Sequence, residues 1–405
     1  MEKYNESNTK MLYWDDSYKK EFEAKVVEII GNGIILNETL FYPVSGGQQT
    51  DQGTIILKKD PRIRFQIIRV EKQEEKIVHF VSEKAISNLK KGDIIIGKID
   101  WDRRYELMKA HTSQHVLSAI LQRNTNVRTI KAVIDRDDVQ IFLEGKISDI
   151  ELKKALFETN TILCSSREIT TTFHDKKKLI EKKAQNEIRG DLDGKNIEQV
   201  RVVSIGNSDK SLCGGTHVKN TNEIGIIALM DFKGDLIRYV LGKKALEKMC
   251  GNNVELISIA KQLAIQVDDV EEKIGKSIEE LHNLRLENDK LSRLVIKPAL
   301  EELRNKPIVI NSVKILNGDF QFAERKFFLK ELGDLPENYI GIFILKGPLI
   351  IVLSSSKDMP ANIIIQEFCK KTGNKGGGTP LIAQSSTTNP INDLATIKSI
   401  ISGKK

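Results

Sequence analysis

Four side chains able to hold a transition metal occur in two pairs of equal spacing, His111 and His115 in HTSQH, and Cys213 and His217 in CGGTH. Two residues four apart on a helix lie one turn apart on one face. Three imidazole nitrogens and a thiolate suit a tetrahedral zinc ion. Alone, an HxxxH pair reads as two ordinary helix residues; CGGTH in the same chain turns it into half of an expected four-ligand centre. The protease chemistry of HExxH is not expected, because Thr112 stands where that motif has its glutamate base. With four protein ligands the coordination sphere is full. A substrate must then displace a ligand, expand the coordination or react beside the ion.

A second stretch carries chemistry of another kind. In TLFYPVSGGQQTDQG, residues 39–53, Gly46 and Gly47 offer backbone N–H groups, Gln48 an amide, and Thr39 and Ser45 hydroxyls. An exposed, tightly turned loop of this kind can hold a small polar substrate and stabilise a developing oxyanion. A plain β-turn is the other reading.

These motifs need elements to place them. Residues 24–100 alternate short apolar segments with Gly, Asn and Lys turns, a spacing that predicts a small β-barrel or strongly bent sheet with the loop inserted in it. From Trp101 to Leu121, Leu107, His111, His115 and Ala119 recur every four residues, which predicts a helix carrying the first metal pair. Strand-like RTIKAVID and VQIFLEG, a helix at 148–164, the strand REITTTF, a Lys-rich helix at 175–189 and the strands around RVVSIG, IGIIALMDF and DLIRYVLG follow. Gly214 and Gly215 let the backbone turn so that Cys213 and His217 point at one centre.

Residues 243–305 carry no strand pattern, and Ile274, Ile278, Leu281, Leu284, Leu291 and Val295 step at helical spacing. An intramolecular helical hairpin and a dimerising coil are both open, with Pro298 expected to kink or end the helix. After Pro307 strands and one helix alternate. The expected class is α+β: a barrel over 1–100, a zinc-containing core over 101–245, a helical segment over 246–305 and an α/β domain over 306–405. The C-terminal GNKGGGTP is no P-loop, since no Lys-Ser or Lys-Thr pair follows its glycines.

The net charge of +7 fits a polyanionic partner. Arg103, Arg104 and Lys109 lie just before the first His pair, and Lys176, Lys177 and Lys178 crowd one segment. They are the expected phosphate contacts, a solvated helix face being the alternative. The N-terminus has no apolar leader and no apolar run nears membrane-spanning length. Four scattered cysteines argue against a disulfide framework. A cytoplasmic setting is expected.

HTSQH, CGGTHV and the TLFYPVSGGQQTDQG loop, in this order, resemble the editing region of alanyl-tRNA synthetases and the freestanding AlaX-type deacylases. DWDRRYELMKAHTSQHVL is similar to that family's first metal helix and IRYVLGKKAL to its segment after the second pair, over about residues 20–245. The helical segment and GNKGGGTPLIAQ are similar to the DHH-associated C-terminal domain of the same synthetases, a combination that resembles the long form of AlaX. The resemblance implies an OB-like or translation-factor-like barrel and hydrolysis of tRNA(Ala) mischarged with serine or glycine. It also implies zinc on His111, His115, Cys213 and His217, an active-site place for Gln48 and Gly47, and Thr39 as discriminator of the amino acid. Val44, where the family often has an acidic or small residue, and Ser385-Ser386, in place of glycines, depart from its pattern. A tRNA-binding factor with a structural zinc is the alternative. A complete synthetase is not expected, since the metal module begins almost at the N-terminus.

Overall fold

The computed structural model describes residues 9–74, 76–81, 86, 88–136, 138–176, 179, 188–190 and 199–403. They form two compact units, Met1–Ser258 and Ile259–Lys405.

The first unit opens with six antiparallel strands that close into a barrel. Around it run Glu21–Ile30, Gly33–Leu36, Lys76–Val81, Arg64–Gln73, Gly53–Leu57 and Ile94–Ile99, the last pairing back with the first. Alternation along Gly53–Leu57 and Glu21–Val26 turns every second side chain inward. Val26, Ile34, Leu36, Phe41, Ile55 and Phe65 fill the interior.

The helix Trp101–Thr125 follows, started by Asp100, whose carboxylate accepts from the Arg103 N–H, and stopped by Asn126 in a left-handed conformation. From Ala110 to Leu121 every side chain is buried, so this is an enveloped core helix rather than an amphipathic one. It packs against the helix Asp149–Cys164 and a four-stranded sheet ordered Ile227–Phe232, Leu236–Leu241, Val139–Leu143, Thr129–Ile134. A three-stranded sheet, Ile169–Asp175, Gln199–Ile205 and Asp209–Leu212, delivers the chain to Cys213. The strand reaches Asp175, where the Lys-rich helix was expected to begin; most of that segment, Lys177 and Lys178 included, lies outside the described residues.

In the second unit a six-stranded mixed sheet over 308–386 buries Ile364, Phe368, Ile397 and Ile401 of the helices Ala361–Thr372 and Pro390–Gly403. A separate cluster joins Ile296 and Leu300 of the helix Val270–Asn305 to Phe328 and Phe343. That helix runs through Pro298 to Asn305, so the proline does not end it. Ile278, Leu281 and Leu284 stay exposed on it. Among the described residues no helix is long and apolar enough to cross a membrane.

Arg104 ties the barrel to the core helix. Expected at a phosphate, it has no exposed surface: it pairs with the equally buried Asp51, and its remaining N–H groups reach the carbonyls of Ser17 and Leu40. The phosphate role of Arg104 is thereby excluded. Arg104→Met strands a buried carboxylate and should cost about 3–5 kcal/mol. Both tryptophans, Trp14 and Trp101, belong to this unit, so urea unfolding followed by their fluorescence reads it directly. An unchanged midpoint in the single variant would refute the assignment, and the Asp51→Asn/Arg104→Met pair should recover part of the loss.

Candidate metal centre and its cavity

The core helix presents His111 and His115, and the loop after Asp209–Leu212 brings Cys213 and His217 against them. Their ligand atoms all lie within 4.8 Å of one another. Cys213 Sγ stands 3.5 Å from His111 Nε2 and 3.3 Å from His217 Nε2. Bond lengths near 2.3 Å to sulfur and 2.0–2.1 Å to nitrogen put two tetrahedral ligands about 3.5 Å apart. The two separations from Cys213 match that spacing, and the four groups together could hold a metal ion.

Each imidazole is turned by a different partner on its other nitrogen. His111 Nδ1–H donates to Gln48 Oε1 at 2.7 Å. His217 Nδ1–H donates to Thr112 Oγ1 at 3.1 Å, and that hydroxyl is itself spent on the Met108 carbonyl. His115 Nδ1–H lies 2.7 Å from Ser211 Oγ and 3.1 Å from Asp209 Oδ2. Asp209 is gripped by both arms of Arg189, which also donates to the His115 carbonyl. Such partners fix the tautomer, leaving Nε2 for the ion.

Burial alone would raise the Cys213 thiol, but the surrounding imidazoles outweigh it and hold its pKa well below the ordinary value. Burial pushes His217 down to about 3. His115 is also opposed by burial, yet Cys213 and Asp209 raise it to about 9. Without a metal these opposed shifts favour a thiolate beside a charged imidazole, and a cation binding there would displace the His115 proton.

Two glycines are demanded by close approach. A Cβ on Gly215 would stand 2.1 Å from the His111 ring, and one on Gly47, whose φ is +84°, would stand 2.3 Å from the Ala132 carbonyl oxygen. The Ser45–Gln48 turn is bonded to the strand Thr129–Ile134, through Ile134 N–H to the Gly47 carbonyl and Gln49 N–H to the Ile134 carbonyl. The loop is therefore exposed only at Val44, Ser45 and Gly46. Gln48 is fully buried: its oxygen accepts from His111 and from Thr216 N–H, and its amide N–H donates to Thr216 Oγ1. Expected in the active site, it contacts the candidate metal ligand His111 and is not among the residues lining the cavity beside Cys213. Thr39 is also wholly buried, donating to His79 Nε2 at 2.8 Å and accepting from Phe41 N–H. It is not among the residues lining the cavity beside Cys213, and it holds the backbone of Phe41, next to Tyr42.

That cavity, of about 200 Å³, brings Tyr42, Pro43 and Ser45 of the loop together with Cys213 and Gly214. Trp14, Phe173 and Arg201 complete much of its wall. A second hollow, of about 500 Å³, lies on the His115 side among Gly46, Lys131, Arg189 and Ser211. Of the expected phosphate contacts, Arg103 is half-buried and donates to the Thr50 carbonyl. Lys109 pairs with Glu106 over the Tyr105 ring, and Lys176 is half-buried.

Sequence reasoning missed Asp209 and Ser211, although Asp209, Ser211 and Cys213 alternate at the period that puts strand residues on one face. Thr112 was seen only as a missing glutamate. Nothing in the spacing marks Trp14, Phe173 or Arg201 as neighbours of Cys213.

Removing one of the ligand-orienting groups while keeping all four ligands should weaken metal binding about 10- to 100-fold. Gln48→Ala and Asp209→Asn test this by competition with a chromophoric chelator; affinities equal to wild type in both would refute it. His79 supplies a pH test. Burial lowers its pKa from 6.5 to about 4, so the unfolded chain takes up its proton first. Its contribution is full above pH 6.5 and falls by roughly 3 kcal/mol as the pH drops toward 4. Metal-free His79→Gln should lose less stability than metal-free wild type over that range, and parallel curves would count against it.

Residues 1–103 match the family of class II (A) tRNA synthetases, and residues 200–241 match the threonyl and alanyl tRNA synthetase second additional domain. Alanine–tRNA ligases from Saccharolobus islandicus and Sulfurisphaera tokodaii are each 29% identical, over 91% and 97% of this chain. The alignments span only 41% and 44% of those ligases. The alanyl-tRNA editing protein AlaX-L of Pyrococcus horikoshii is 26% identical, over 92% of this chain and 93% of its own length. The solved C-Ala domain of Aquifex aeolicus alanyl-tRNA synthetase matches 24% of this chain and 99% of that domain, at 21% identity and a TM-score of 0.21, which supports no comparison of fold. Together the family and relative matches agree with the resemblance carried by HTSQH and CGGTH: over nearly its whole length this chain is similar to an alanyl-tRNA editing protein of the long AlaX type.

Proposed function

We propose that the chain is a trans-editing deacylase that hydrolyses the ester of tRNA(Ala) mischarged with serine or glycine. The observation that carries this reading is the shared wall: Cys213 of the candidate metal centre and Tyr42, Pro43 and Ser45 of the barrel loop line one small cavity. The similarity to AlaX-L over nearly both chains supports it. An aminoacyl ester is already activated, so the protein has only to place it, shield it and stabilise the charge that develops.

Zinc is the ion we assign, from the three nitrogens and one thiolate; bound there, it would supply a Lewis acid or an anchor for the substrate amine. The chain's own groups do the rest. Gln48, Thr112 and Asp209 keep the imidazoles in place, and Thr39 holds the segment that shapes the cavity wall. Serine is best told from alanine by hydrogen bonding rather than size, which assigns Thr39 an effect on selectivity exerted through Tyr42. Arg103, Lys109 and the run Lys176 to Lys178 serve the acceptor stem. In this reading residues 1–245 carry the chemistry, residues 246–405 serve tRNA reach or homodimerisation, and the setting is cytoplasmic.

One observation favours a second reading. Four protein ligands close a coordination sphere as in structural zinc sites, which suits a tRNA-binding factor without hydrolytic activity. Release of labelled amino acid from seryl- and glycyl-tRNA(Ala) by the zinc-loaded full chain separates the two. The deacylase should act on at least one, and Gln48→Ala should slow it tenfold or more. Binding without any release would leave the factor.

A further inference from the structure

A serine or glycine ester needs little apolar surface, yet the cavity beside Cys213 is walled in part by rings. Trp14, on the short helix Leu12–Asp15, and Phe173, on the strand Ile169–Asp175, stand 6.1 Å apart between ring centroids at 58°. Met11, Tyr13 and Pro43 extend the same wall. The two rings belong to segments 159 positions apart (173 − 14) and meet in the wall of this cavity. Phe173 is 48% exposed, a position where a ring is poorly explained by core packing. The Trp14 indole N–H donates to the Gly214 carbonyl at 2.8 Å, which ties the ring to the residue after Cys213 and fixes its plane.

Beside them Arg201 is 7% exposed and lines the same cavity. It braces the metal loop by donating to the carbonyls of Cys213 and Gly215, while its buried Nε–H has no acceptor among the described residues. The wall therefore offers π-faces and a guanidinium. A nucleoside answers both, with a base to stack and ribose oxygens to accept; single-stranded RNA ends are held on proteins by such aromatic platforms.

We propose that Trp14 and Phe173 form the stacking subsite for the terminal adenine of the tRNA 3′ end, placing the esterified ribose toward Arg201 and Cys213. The subsite rests on the tRNA-editing reading, since an acceptor end is what must reach Cys213. It goes beyond that reading by dividing the cavity into a polar part for the amino acid and an aromatic part for the base.

The test uses the full chain and an uncharged acceptor-stem minihelix whose terminal adenine is replaced by 2-aminopurine, a base that loses fluorescence when stacked. Occupancy is followed separately by anisotropy of a label at the far end. At saturation the wild type should quench the base strongly. Phe173→Ala and Trp14→Ala should remove most of the quench and weaken binding about tenfold, whereas Trp14→Phe should retain it. Undiminished quenching in saturated Phe173→Ala and Trp14→Ala, or none in saturated wild type, would overturn the proposal. Should Trp14→Ala fail to fold, the exposed Phe173→Ala decides alone. Because the RNA carries no ester, failure of the two ideas is distinguishable: quenching without serine release sinks the deacylase and keeps the subsite, and release without quenching does the reverse.

Discussion

The buried pair of Arg104 and Asp51 sets the geometry on which the metal centre depends. Arg104 lies seven residues before His111, two helical turns, and so shares its face. Asp51 lies three residues after Gln48 and also accepts the Tyr42 N–H. One ion pair thus fixes the phase of the helix that carries two ligands and the position of the loop that orients one of them. Removing two charges from water is expensive, and such a pair adds little net stability over an apolar replacement. Its value here is specificity: neither the helix nor the loop can rotate without leaving a charge stranded.

The clustering of the four candidate ligands was legible in the sequence because their chemistry is rare and their spacing strict, and the barrel because strand and turn residues alternate at short intervals. Burial was not legible. Arg103 and Arg104 are adjacent and of one type, yet one is half-buried on a carbonyl and the other is enclosed. Only the direction in which the helix faces the barrel separates them. Gln48 was misplaced for a similar reason. A glycine-rich turn suggests an open loop, but here it docks on a neighbouring strand and drives the glutamine beneath it. Pro298 shows the reverse error, a local rule overridden by helix on both sides whose Ile296 and Leu300 are packed.

Three imidazoles around one thiolate are held by an amide, a hydroxyl and a carboxylate. This variety has an electrostatic consequence. Asp209 confers negative charge on the His115 side alone, and Arg189 offsets it there. Gln48 and Thr112 orient without adding charge. The field around the centre is therefore lopsided, with the Asp209 carboxylate and its Arg189 partner gathered on the His115 flank. The Cys213 flank opens instead onto rings and a guanidinium.

The docked Ser45–Gln48 turn bears on how the chain can be varied. Although this loop lies within the barrel's sequence, its backbone is paired with Ile134 of the following sheet, and a glycine lets it pass the Ala132 carbonyl. Mechanically it belongs to the neighbour. A barrel taken from a relative would bring its own turn to a sheet shaped for another. The seam at which such modules can be exchanged therefore does not fall at residue 100, where the strands end; barrel loop, strand Thr129–Ile134 and metal helix must be inherited together.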